Sequence, residues 1–178
     1  EGVSIDGTEG GPPEVGALFV IGPQRPLTDR AVYHLDQYLM RGGSLAMFLT
    51  NTRPNLRTMR PVNVYHGLDA LVGSYGVQVN RDSVVDRVRN GKMGFPVRQG
   101  KVIRQTEINY PLIPKATALS QTSPVVKGLD SMLFPFSSSL TLADPMPPDV
   151  RADILASSAD SSGRIKGVRT IDPNAYTR

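Results

Sequence analysis

The feature that most constrains this chain is an apolar run, a helical period and a second apolar run within residues 17–49. Ala17-Leu18-Phe19-Val20-Ile21 is apolar throughout and stops at Gly22-Pro23. A continuous run this short reads as a strand buried on both faces, as in a parallel sheet. Thr28 suits an N-cap, and Asp29 puts a negative charge in the first turn, where the helix dipole favours it. Ala31, Val32, Leu35, Tyr38 and Leu39 then recur at helical spacing. Arg41 falls in the last turn, Gly42-Gly43 stops the helix, and Leu45-Ala46-Met47-Phe48-Leu49 follows at once. Two strands joined by a helix predict a right-handed crossover in a parallel sheet.

The rest is punctuated more than patterned. Residues 1–14, rich in Gly, Pro and acid, predict a lead-in loop. Residues 50–63 are polar, basic and broken by prolines, which predicts a surface loop at the carboxyl end of the second strand. A short helix is expected over Gly67–Tyr75, ended by Gly76, with short strands over Val77–Val79 and Ser83–Val88. Glycines at 91, 94 and 100 predict a hairpin with strands near 95–98 and 101–107. Pro111 and Pro114 make 110–115 read as irregular; 123–129 reads as a helical turn, and 131–142 as ending in a strand. Pro145, Pro147 and Pro148 close the compact part, so a single α/β domain is expected over 15–156. The Ser-, Gly- and Asp-rich residues 157–178 then read as a linker or tail.

A chain of 178 residues can bury a core without staples. It has no cysteine, which removes disulfides, thiolate catalysis and cysteine metal sites. His34 and His66 are its two histidines, with no HEXXH pair, so no metal site is expected. Each reads as a helix-surface or capping residue. No GxGxxG, P-loop or GxSxG motif occurs, and Pro23 and Pro26 lack the amides a phosphate cradle needs. Ser44 and Ser74 follow glycines outside any nucleophile frame, and Asp36, Asp82 and Asp86 are scattered carboxylates. No cofactor is expected.

Charge is uneven. Residues 1–36 carry two basic and six acidic side chains, a net −4; residues 41–115 carry twelve and four, a net +8. Such a positive field suits acidic lipid, nucleic acid, an anionic polymer or an acidic partner, or is a solvated surface. Aromatics are 6% and Trp is absent, so base stacking is poorly served and no nucleic-acid partner is expected.

The segment VIGPQRPLTDRAVYHLDQYLMRGGSLAMFL, residues 20–49, resembles the signature of the GldG-like auxiliary proteins of ABC transporters, the gliding-motility-associated type. The residues that carry it are Gly22, Pro23, Pro26, Leu27, Leu35, Asp36, Tyr38, Gly42 and Gly43. Residues 67–86 and 123–140 are similar to further family segments, so the likeness covers most of 15–142. It implies a flavodoxin-like, class I glutamine amidotransferase-like three-layer sandwich with a mostly parallel sheet and an added β-hairpin. It also implies an extracytoplasmic or periplasmic domain tethered to the inner membrane through segments outside this chain, partnered by an ABC permease and ATPase. The related amidotransferases use a cysteine nucleophile that this chain lacks, so a noncatalytic descendant is expected rather than an enzyme.

Tyr38 shares a helix face with Leu35 and Leu39 and reads as core, while Asp36 reads as pairing with Arg41 or the Arg25 loop. Ligands of open α/β sheets bind at the carboxyl ends of the strands. Arg25, Asn51, Arg53 and Arg57 are therefore the candidate ligand or partner edge. The alternative stays open that Gly22, Pro23 and Pro26 only shape a turn. Two rival functions also stay open: a carbohydrate- or peptidoglycan-binding module for envelope glycan on the same fold, and a hydrolase with an unrecognised site.

Overall fold

A computed structural model of the chain describes residues 15–100 and 102–176. The lead-in loop expected over 1–14 lies outside them. In chain order the elements are β1 (Ala17–Ile21), α1 (Asp29–Met40), β2 (Ser44–Phe48), β3 (Thr52–Asn55), β4 (Arg60–Asn63), α2 (Asp69–Ser74), β5 (Val77–Val79), β6 (Asp82–Asp86), β7 (Asn90–Gln99), β8 (Val102–Ala116), β9 (Ala118–Leu119), β10 (Met132–Leu133), β11 (Leu140–Leu142), β12 (Ala156–Ser157) and β13 (Ser162–Lys166). A 3-10 turn, Pro173–Tyr176, follows.

The strand–helix–strand unit forms as the spacing predicts. Thr28 caps α1 by accepting the Ala31 amide at 3.2 Å, and β1 pairs with β2 in parallel from Ala17↔Ser44 to Ile21↔Phe48. Gly42 ends α1 in the left-handed region, φ +85°, where a side chain would be strained.

The flavodoxin-like, amidotransferase-like sandwich with a mostly parallel sheet is not what the chain builds. The pairs β5–β11, β6–β13, β7–β8, β8–β10 and β9–β12 are all antiparallel. The reason is connection length. Parallel neighbours need a crossover of about a dozen residues or more, usually a helix. After β2 the helix α2 has six residues, and it leads into β5, which pairs antiparallel with β11.

The chain divides into two compact units. The first comprises the described part of Glu1–Asn51, with Asn63–Asn80 and Leu140–Arg151. Its core is Leu18, Leu35, Tyr38, Leu68, Leu71 and Val72, so α1 and α2 cover one face of β1–β2. Tyr38 is anchored there through its hydroxyl, which donates to the Val15 carbonyl at 3.0 Å and lies 3.4 Å from that of Ser44. A Cβ on Gly43 would stand 2.4 Å from that ring. The ring is buried and held at its tip, so Gly43→Ala is expected to cost about 1–3 kcal/mol as overpacking. Urea unfolding measures it; an unchanged midpoint would mean the ring turns aside freely.

The second unit comprises Thr52–Val62, Arg81–Ser139 and Ala152–Arg178, described to Tyr176. Its main core is Val85, Tyr110, Leu112, Ile113, Phe136, Ile171 and Tyr176. Ala116, Leu119 and Val126 form a smaller cluster. Residues 110–115, expected irregular, are the inner half of the 15-residue strand β8. Pro111 and Pro114 offer the ladder no amide, but β8 carbonyls still bond: Phe134 N–H donates to Pro114 at 3.0 Å and Phe136 N–H to Leu112 at 2.8 Å. The stretch 157–178, expected as linker or tail, holds β13, registered on β6 from Ser162↔Asp86 to Lys166↔Asp82. Residues 50–63, expected as a loop, hold the paired strands β3 and β4.

Candidate functional site

The carboxyl ends of β1 and β2 lie in the first unit. The Gly22 amide donates to the Phe48 carbonyl at 3.0 Å, which carries the ladder one step past β1. The chain then turns through Pro23 and Pro26, and the Leu27 amide docks on the His66 carbonyl at 3.1 Å. Gly67 is needed beside this contact: its φ is +74°, and a Cβ would lie 3.4 Å from the Leu27 backbone.

His66 is buried. Its Nδ1 accepts the Leu68 amide at 3.1 Å, just ahead of α2, which has no side-chain cap of its own. A neutral ring that accepts at Nδ1 carries its proton on Nε2. That atom lies 3.9 Å from Asp69 Oδ1, too far for a hydrogen bond. It cannot act as a metal ligand without giving up that proton. Among the described residues no group of three or more His, Asp or Glu could hold a metal ion.

The four candidate edge residues do not share one unit. Arg25 is exposed in the β1–α1 turn. Asn51 is buried, and its amide donates to the Val79 and Asn80 carbonyls, both at 3.1 Å, so it ties β2 to β5. Arg53, on β3, and Arg57, in the β3–β4 turn, belong to the second unit. Of the motif residues, Gly22, Pro23, Pro26 and Leu27 form the turn, Tyr38 is core, and Gly42 and Gly43 close α1. Asp36 pairs with neither arginine named for it: it accepts the Tyr75 hydroxyl at 3.1 Å, fastening α1 to the end of α2. Burial, with that carboxylate adding to it, pushes the Tyr75 phenol up.

The larger signal is on the sheet face opposite α1. Side chains alternate along a strand, so Ala17, Phe19 and Ile21 share a face with Ser44, Ala46 and Phe48. Phe19 is 65% exposed, Ile21 72% and Phe48 58%. The first run reads as a strand buried on two faces, yet one face of the β1–β2 pair is bare. Sequence reasoning had the signal, an apolar run without alternation, but assigned the cover to the chain itself. Two aromatic rings and an isoleucine on an uncharged, two-stranded parallel sheet make a surface for apolar contact, not for acid–base chemistry.

A solved structure, the mmIFT52 N-terminal domain, is similar in fold, with TM-score 0.54 and 17% sequence identity. The likeness covers 88% of this chain and 57% of that one, so the chain spans little more than half of that structure. No curated protein sequence matches significantly. The family profile described as ABC-type uncharacterized transport system matches residues 1–178, and the chain belongs to that family, of auxiliary components of ABC-type transport systems.

Proposed function

We propose that this chain is a noncatalytic, extracytoplasmic domain of the auxiliary subunit, of the gliding-motility type, and that it works by holding polypeptide of the permease, through which the ATPase partner is engaged. The observation that carries the reading is the bare apolar face of β1–β2, with Phe19, Ile21 and Phe48. Several polar groups that could do chemistry have internal duties instead. Asp36 accepts from Tyr75, Asp82 from Ser139, Asp86 from four donors, and His66 from Leu68. The gliding-motility assignment draws on the Gly22–Gly43 motif, with residues 67–86 and 123–140 in support. No helix among the described residues is long and apolar enough to cross a membrane, so tethering would fall to other segments.

Capture from solubilised source membranes tests the reading, with the tagged chain as bait and mass spectrometry to identify the permease and ATPase. Both are expected in the wild-type capture. A Phe19→Asp, Phe48→Asp double variant is expected to reduce their recovery about tenfold or more, since each such substitution removes one to two kcal/mol of apolar contact. These side chains are exposed, so the fold should survive the change, and circular dichroism checks it. Undiminished recovery by the double variant would remove the face from the interface. Enrichment of envelope glycan in place of the transporter would favour a carbohydrate-binding module.

A further inference from the structure

We infer that the outer half of the β7–β8 hairpin is a contact arm for an anionic lipid surface. The two strands stay in register to their tip, with Phe95↔Thr106, Val97↔Arg104 and Gln99↔Val102. The inner half belongs to the second unit's core: Met93 and Phe95 pack on it, and Phe95 stacks on Tyr110 at 5.9 Å between ring centroids. Beyond that the cover ends. Every residue of Val102–Glu107 is exposed, so this stretch of β8 is bare on both its faces over about 17 Å, at roughly 3.4 Å per residue.

Composition decides what such an arm fits. Val102 is 56% exposed and Ile103 69%, and Arg104 stands beside them. In sequence, residues 96–106 carry three cations, Arg98, Lys101 and Arg104, and no acid. The first acid beyond them, Glu107, lies 3.9 Å from Lys92, nearer the base. Branched aliphatics interleaved with cations suit an interface of lipid headgroups and acyl chains, where each cation near the surface contributes about 1 kcal/mol. Nucleic acid would call for stacking rings, and the arm's one aromatic, Phe95, is already engaged with Tyr110. A folded acidic protein would leave one face of Val102–Glu107 wet, whereas a headgroup layer wraps both. A component of a transport system works beside a bilayer. This inference is independent of the β1–β2 face.

Vesicle sedimentation with the 178-residue chain tests it. Binding is expected to phosphatidylcholine vesicles containing roughly one third phosphatidylglycerol, with little to phosphatidylcholine alone, and is expected to weaken as salt rises. An Ile103→Ser, Arg104→Glu variant is expected to lower the partition coefficient about tenfold or more. Its circular dichroism should match wild type, because both side chains are exposed. A Phe19→Asp, Phe48→Asp variant should bind vesicles as wild type does, which separates this result from loss of transporter capture. No binding, equal binding to both vesicles, or an unaffected arm variant overturns the inference. So does binding to soluble polyglutamate without binding to vesicles, which would assign the arm to an acidic protein.

Discussion

Tyr110→Ala is expected to cost about 3–5 kcal/mol, toward the top of the range for deleting a buried ring. Tyr110 is fully buried among Leu112, Ile113, Phe136 and Ile171. Its ring stacks on Phe95 at 5.9 Å and meets Phe136 edge-on at 5.5 Å. Its hydroxyl donates to the Ile171 carbonyl, which holds the chain's last stretch against β8. Alanine therefore empties a ring-sized volume and strands an acceptor at once. Tyr110→Phe removes the acceptor's partner alone and is expected to cost about 1–3 kcal/mol. Burial, with Asp172 and Tyr176 adding to it, pushes the Tyr110 phenol up to about 12. A raised folded pKa stabilises fully below the unfolded value, about 10, and the contribution is lost as pH rises through the folded value. Wild type should thus lose stability between pH 10 and about 12, and Tyr110→Phe should lose less across that window. Urea unfolding at neutral and alkaline pH measures both; equal alkaline losses in the two proteins would show that this phenol does not govern that limb.

The second large effect belongs to Asp86, and Asp86→Ala is expected to cost about 3–5 kcal/mol. The carboxylate is fully buried at the end of β6. It accepts the Val88 and Arg89 amides at 2.8 and 2.7 Å, and the Ser161 and Ser162 hydroxyls, both at 2.9 Å on Oδ2. Burial pushes this carboxyl up, but those amides and hydroxyls together outweigh it and hold it below its ordinary value. A depressed folded pKa gives stability that is complete above the unfolded value, about 4, and lost as pH falls through the folded one. Asp86→Asn, which keeps the shape and drops the charge, should therefore lie closer to wild type at low pH than at pH 7. A constant gap between the two at all pH values would exclude the carboxylate's charge as the source.

What the sequence made legible was local. Thr28, the apolar period of α1 and Gly42 are signals contained within residues 17–49, and the structure reproduces them. What stayed hidden depends on distant partners. Pro111 and Pro114 read as breakers because the bonds of this stretch, from the Phe134 and Phe136 amides to the Pro114 and Leu112 carbonyls, require knowing where residues 134–136 lie. The serines at 161 and 162 looked like linker composition because the acid they serve is 75 residues back. The mostly parallel sandwich failed for the same reason: one crossover was extended to strands whose true neighbours run the other way. At the candidate site, Arg25 lies exposed in the β1–α1 turn, whereas Asn51 is a backbone clamp. The bare ring of Phe19 sits in a run that reads as interior, because hydrophobicity reports a need for cover without naming its source.

The pairing of Asp86 with Ser161 also sets a timetable. During synthesis at about 5–20 residues per second, β6 is complete roughly 4–15 s before those hydroxyls are made. For that interval its buried acid has no serine donors and its β13 edge has no mate. The nascent chain thus carries an open strand edge until residue 162 is made, and the codons between residues 86 and 162 set how long it stays open.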